Sequence, residues 1–142
     1  MKLLKMLLIF FFFQTGAYAE EKPLDDIALA QAFTDCTAKS IMFSQLKKRA
    51  GKLEPKEEAG IKTLVTTLTL YAAALVGERP IKAMLNEAIE KEGALIKSLL
   101  ERDDTNGYKE HSISFLKECT SLVKEHEDAM ATKVAEYLNK KG

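Results

Sequence analysis

The chain reads as an all-α protein, an antiparallel up-down-up-down four-helix bundle clamped by one disulfide. Three observations predict this. Apolar residues recur at three- and four-residue spacing in four segments, and no run alternates like a half-buried strand. Short breaks carrying Pro or Gly separate the segments, which favours antiparallel neighbours. Two cysteines, Cys36 and Cys119, fall in the first and last segments.

The opening residues read differently. Met1–Ala19, MKLLKMLLIFFFFQTGAYA, has Lys2 and Lys5 before an uncharged run from Met6 to Phe13. Ala17-Tyr18-Ala19 follows, with small residues at the positions a signal peptidase inspects, so residues 1–19 are expected to be a signal peptide cleaved before Glu20. The apolar run is much shorter than the ~20 residues a spanning helix needs. Residues 20–142 are then a single helical domain, periplasmic or secreted, with no stable membrane insertion. Cleavage removes two of 21 basic residues, leaving 19 against 21 acidic, a net charge of −2. That balance argues against nucleic acid as a partner, since such binders carry a clear Lys/Arg excess.

The first helix is expected over Leu24–Ala50. Pro23 suits a first-turn position, and Asp25 and Asp26 sit at the positive end of the helix dipole. Lys47, Lys48 and Arg49 favour the last turn, and Gly51 can adopt the left-handed cap. The second is expected over Pro55–Gly77, with Glu57 and Glu58 in its first turn. Ile61, Leu64, Val65, Leu68, Ala72 and Leu75 form its apolar face. Thr63 to Gly77 holds fifteen residues without a charge, too few to span a bilayer.

The third helix is expected from about Pro80 to Asp103. Its stripe of Ile81, Met84, Leu85, Ala88, Ile89, Leu95, Ile96, Leu99 and Leu100 is the cleanest in the chain. Leu85, Ile89, Ile96 and Leu99 are read as core. Gly93 interrupts the stripe and marks either a close helix contact or an ordinary surface position. Asp104-Thr105-Asn106-Gly107 reads as a turn, and the fourth helix follows over Tyr108–Lys140. Its seam is Leu116, Thr120, Val123, Glu127, Met130, Val134 and Tyr137.

In an antiparallel arrangement Cys36 and Cys119 reach the same level to within about 3 Å, because their distances from the connecting ends differ by two residues. An exported chain with an even cysteine count predicts that they are bonded. Redox catalysis usually needs Cys-x-x-Cys, which is absent.

No catalytic, cofactor-binding or metal-binding residue is predicted. His111 and His126 are about 22 Å apart along one helix and cannot share a metal ion. Glu125, His126, Glu127 and Asp128 read as a solvated face. Met42 and His111, a Met–His pair of the kind that ligates haem in bundles, are turned away from the seam that the cysteines mark. No nucleophile elbow, phosphate loop or zinc-protease motif occurs. The expectation is a non-enzymatic protein, without cofactors, that binds a protein partner in the cell envelope. An immunity or inhibitor protein is the instance suggested by analogy of size, export and cross-link. A small-ligand or haem carrier of the helical-bundle type is the alternative.

Overall fold

The computed structural model describes residues 25–142, so the signal-peptide reading of residues 1–19, the Glu20 terminus, Pro23 and Leu24 lie outside the described residues. Four helices follow one another: α1 (Asp26–Arg49), α2 (Pro55–Val76), α3 (Glu78–Glu101) and α4 (Thr105–Lys141). They form an all-α bundle whose successive helices run in opposite directions.

Local chemistry explains each boundary. Asp25 caps α1 by accepting a 2.7 Å hydrogen bond from the Ala28 amide. The helix closes in a Schellman motif. The Gly51 amide bonds the Lys48 carbonyl at 3.1 Å and the Lys52 amide bonds that of Lys47 at 2.9 Å. Gly51 stands at φ +66°, where a side chain is strained. Pro55 opens α2 at a position with no amide hydrogen bond to lose.

Gly77 alone separates α2 from α3, at φ 85° and ψ 169°, a conformation essentially reserved for glycine. The third helix thus starts at Glu78, before Pro80. Pro80 is its third residue, still within the first turn where amides lack an intrahelical partner.

The fourth helix also starts earlier than its sequence suggests. Asp104-Thr105-Asn106-Gly107 is its cap and first turn, because the Asp104 carboxylate accepts from the Gly107 amide at 2.8 Å. The reversal occurs at Asp103, at φ 52°. Around it the Asp103 and Asp104 amides bond the Leu100 and Leu99 carbonyls, a second Schellman closure.

The first helix is the hub. Its early turns bury Leu29, Ala30, Phe33, Thr34, Cys36, Thr37, Ala38 and Ser40, so several of its faces are covered. Small side chains let the neighbouring backbones approach. The Thr37 and Ser40 hydroxyls donate to the Phe33 and Cys36 carbonyls at 2.9 and 2.8 Å, and Thr34 donates to the Ala30 carbonyl, so burial strands no polar group. α1 packs most closely on α2, then on α3, and α2 packs on α4.

Register is set by named pairs. Lys47 bonds Glu57 at 2.6 Å, and Phe33 meets Tyr71 edge-to-face at 5.4 Å, which fixes α2 antiparallel to α1. Asp26 with Lys133 and Cys36 with Cys119 fix α4 antiparallel to α1. Leu29, Phe33, Leu68, Tyr71, Ile81, Phe115 and Met130 join one apolar cluster drawn from all four helices. Fully burying a side chain such as Leu68 or Met130 contributes about 1.5–3 kcal/mol.

Two expected apolar faces are corrected. On α4, Thr120 and Glu127 are exposed, whereas Leu116, Val123, Val134 and Tyr137 pack against the cluster beside buried Met130, and the inward face also takes in Ser112, Phe115, Cys119 and His126. On α3, Ile81, Ala88, Ile96 and Leu99 are buried, whereas Leu85 and Ile89 are half-buried. Leu95 and Leu100 are 41 % and 57 % exposed.

Candidate ligand-binding cleft

α2 and α3 share the Gly77 hinge yet touch sparingly. Between them lies a cleft of about 600 Å³, closed at one end by the last turns of α4. Val65, Thr66, Thr69, Leu70 and Ala73 form the α2 wall; Ile81, Lys82 and Leu85 form the α3 wall. Its size falls within the ~300–1,000 Å³ range of small-molecule pockets.

The sequence explains why this surface is apolar. α2 carries uncharged residues on nearly every face between Thr63 and Val76, but only one face meets α1 and α4. Leu68, Tyr71 and Ala72 go into the core, and Val65, Thr69 and Leu70 stay half-buried on the cleft side. The expectation that this stretch is too short to span a bilayer is corrected. Counted over the whole 22-residue helix, charges near its start included, α2 is by length and composition apolar enough to cross a membrane, with mean hydropathy 1.5 over its best window. Its threonines do not break this character. Thr66 donates to the Lys62 carbonyl at 2.9 Å and Thr69 to the Val65 carbonyl at 2.7 Å, so both hydroxyls are spent on the backbone.

The closed end is polar and internally satisfied. Glu78, the first residue of α3, accepts from Tyr137 at 3.1 Å and from Lys141. The Lys141 ammonium also lies 5.3 Å from the centre of the Tyr137 ring. Hydrogen bonds from Lys141 and then Tyr137 hold the Glu78 carboxyl below the usual carboxylate range, and the bond to Glu78 raises the Lys141 ammonium. Among the described residues, Lys82 is the one charged group on the cleft wall without an ion-pair partner.

Elsewhere, Cys36 and Cys119 are bonded, joining α1 to α4 across 83 residues of chain. Both are buried. His111 points at α3, where its Nε2 bonds the carboxylate of buried Glu92. Met42 lies against the same stretch of α3, beside Gly93, where an added Cβ would sit 3.9 Å from the Met42 Cε. The contact is ordinary in distance and leaves room for a methyl group. His126 faces inward: its Nδ1 bonds the Leu122 carbonyl at 3.0 Å and its ring meets Phe33 edge-on at 6.0 Å. Glu125, Glu127 and Asp128 are exposed around it. Among the described residues no three His, Cys, Asp or Glu side chains group as a metal site.

Sequence reasoning missed both the cleft and the Glu92–His111 pair. The uncharged stretch of α2 is the one signal for the cleft, since it is wider than a single packed face requires. Compared with known proteins, the chain matches no family model, no curated protein and no solved structure.

Proposed function

We propose that the protein acts by binding rather than by catalysis, as an exported carrier whose α2–α3 cleft holds an apolar ligand. The cleft itself carries the reading: a concave apolar surface of ligand size, whose hydroxyls and terminal polar cluster are already satisfied. Such a lining offers burial of apolar area and little else, which is what an apolar ligand needs. The Cys36–Cys119 bond supports an oxidising compartment, consistent with export of the chain by residues 1–19 to the periplasm or the medium.

The test uses N-phenyl-1-naphthylamine, an uncharged probe that brightens in apolar sites, and the chain has no tryptophan to interfere. Saturable one-to-one binding is expected, with strong loss in Leu70→Glu at unchanged helical circular dichroism. Absence of saturable binding overturns the reading.

A second reading, a protein partner such as a toxin held by an immunity or inhibitor protein, is favoured by the openness of the cleft and by Leu138 at its edge. Leu138 is 52 % exposed, so the apolar ridge of a partner helix can reach it. It predicts one stoichiometric partner recovered from envelope extract and lost in Leu138→Glu, with no saturable binding of the small probe.

A further inference from the structure

We infer that the cleft takes a single-chain amphiphile with an anionic head, its tail along the α2 wall and its carboxylate against Lys82. The inference rests on the cleft being a ligand site and adds the charge and shape of the ligand.

The polar inventory of the cleft points to an anion. The Thr66 and Thr69 hydroxyls donate to their own helix, so their protons are not offered to a ligand. Glu78 is ion-paired with Lys141 and also accepts from Tyr137, so its carboxylate is already engaged rather than offered to a cationic head. Lys82 remains. It is exposed on α3, between buried Ile81 and half-buried Leu85, so its methylene stem can follow the wall while the ammonium stays in water. Arg79, three residues earlier, is exposed one turn away and adds positive potential.

Shape points to one chain. The α2 wall runs from Val65 to Ala73, about 12 Å along the helix, and both walls are aliphatic. No ring from α2 or α3 lines the cleft to stack a planar ligand; the one aromatic, Tyr137, is held at the closed end by Glu78. A flexible aliphatic chain matches a long trough of this kind, and each buried methylene tightens binding by about fourfold.

The experiment measures displacement of N-phenyl-1-naphthylamine from the disulfide-bonded protein by dodecanoate, dodecanol and dodecyltrimethylammonium. All are used as monomers at neutral pH, with phosphatidylglycerol vesicles as a separate arm. Dodecanoate is expected to bind about 1.5- to fivefold more tightly than dodecanol, the range of an exposed charge pair, and the cation more weakly than either. Lys82→Gln should reduce dodecanoate to the affinity of dodecanol, Lys82→Arg should retain the preference, and raised salt should shrink it. Equal binding of anion and alcohol, unchanged by Lys82→Gln, overturns the head-group assignment while leaving the cleft as a ligand site. Failure of the uncharged probe and of every amphiphile overturns both readings. Binding to vesicles without binding to monomers overturns the single-chain ligand in favour of a lipid surface.

Discussion

The buried carboxylate of Glu92 on α3 takes its hydrogen bond from the imidazole of His111 on α4. Glu92 is only 6 % exposed, and no other acidic side chain bonded across the helices is so far from water. Lys133–Asp26 and Lys141–Glu78, by contrast, lie at the surface. A buried acceptor that loses its partner carries its desolvation cost alone, whereas an apolar replacement of similar size carries none.

His111→Ala is therefore expected to cost about 1–3 kcal/mol, by urea unfolding. Glu92→Gln, which keeps a hydrogen bond to a neutral imidazole, should cost less, and Glu92→Leu should fall below His111→Ala. If Glu92→Leu proves the most damaging of the three, the pair stabilises the bundle through its charge rather than merely satisfying a buried group.

The disulfide is expected to supply a large share of the stability. It closes a loop with 83 residues of sequence separation, for which the chain-entropy relation gives about 4–5 kcal/mol. Replacing both Cys36 and Cys119 with Ala should lower the thermal midpoint by well over 10 °C for a domain of this size, with the helical dichroism below the transition retained. A midpoint that stays within a few degrees of the parent places the stability in the apolar cluster alone.

The helices and the cross-link were legible in the sequence because both follow from short-range geometry. Asp25, the basic last turn of α1 and Gly51 act within one or two turns of where they stand, and the level of Cys36 against Cys119 needs only the rise per residue and the direction of the helices. Errors arose where a neighbouring group decided. Asp104-Thr105-Asn106-Gly107 has turn composition, but the Asp104 carboxylate captures the Gly107 amide and begins a helix there. Along α4 the inward face drifts, since its 37 residues outlast the 24 of α1 and meet several partners in turn. The cleft depends on the angle at which α2 and α3 leave Gly77, and no periodicity encodes that angle. The same holds for Leu85 and Ile89, whose stripe is real but only partly covered.

Gly93 offers a stabilising change. It sits inside α3 with no positive φ, and a methyl group there would lie 3.9 Å from the Met42 Cε, an ordinary contact. Gly93→Ala should raise stability by about 0.5–1 kcal/mol by reducing the freedom of the unfolded chain. A loss instead would mean that Met42 cannot accommodate the added carbon. Denaturant midpoints of Gly93→Ala and of the double variant with Met42→Ala distinguish a packing clash from a backbone effect.

Tyr71 gives the protein an alkaline limit. Burial raises its phenol above the ordinary value of 10.0, and the negative charge of Glu127 raises it further. The folded chain therefore keeps this proton at pH values where the unfolded chain has released it. The contribution is fully present below pH 10 and is lost as pH rises through the folded value. Tyrosinate absorbance should show Tyr71 ionising above the ordinary tyrosine value, with Glu127→Gln bringing it earlier. Tyr71→Phe should flatten the fall in stability above pH 10. An unaltered fall in that variant assigns the limit to other groups.

Leu85 and Ile96 lie on the same apolar stripe of α3, eleven residues apart, yet they meet different surroundings. Ile96 is 5 % exposed, whereas Leu85 is half-buried on the wall of the cleft. Truncating a side chain fully enclosed by protein loses its transfer energy and leaves a void, so Ile96→Ala should cost about 2–5 kcal/mol. Leu85→Ala enlarges a space already open to solvent and should cost roughly half as much or less, because no sealed void forms. Its effect belongs to binding: with part of the α3 wall removed, the uncharged probe should bind several-fold more weakly to Leu85→Ala than to Ile96→Ala. Thermal melts and probe titrations of the two variants measure both quantities on the same samples. Equal destabilisation by the two, with probe binding intact in Leu85→Ala, would mean that α2 and α3 close on one another in solution and that Leu85 belongs to the core. A small loss of stability joined to a large loss of binding places it on the ligand surface, and separates what holds this bundle together from what the bundle holds.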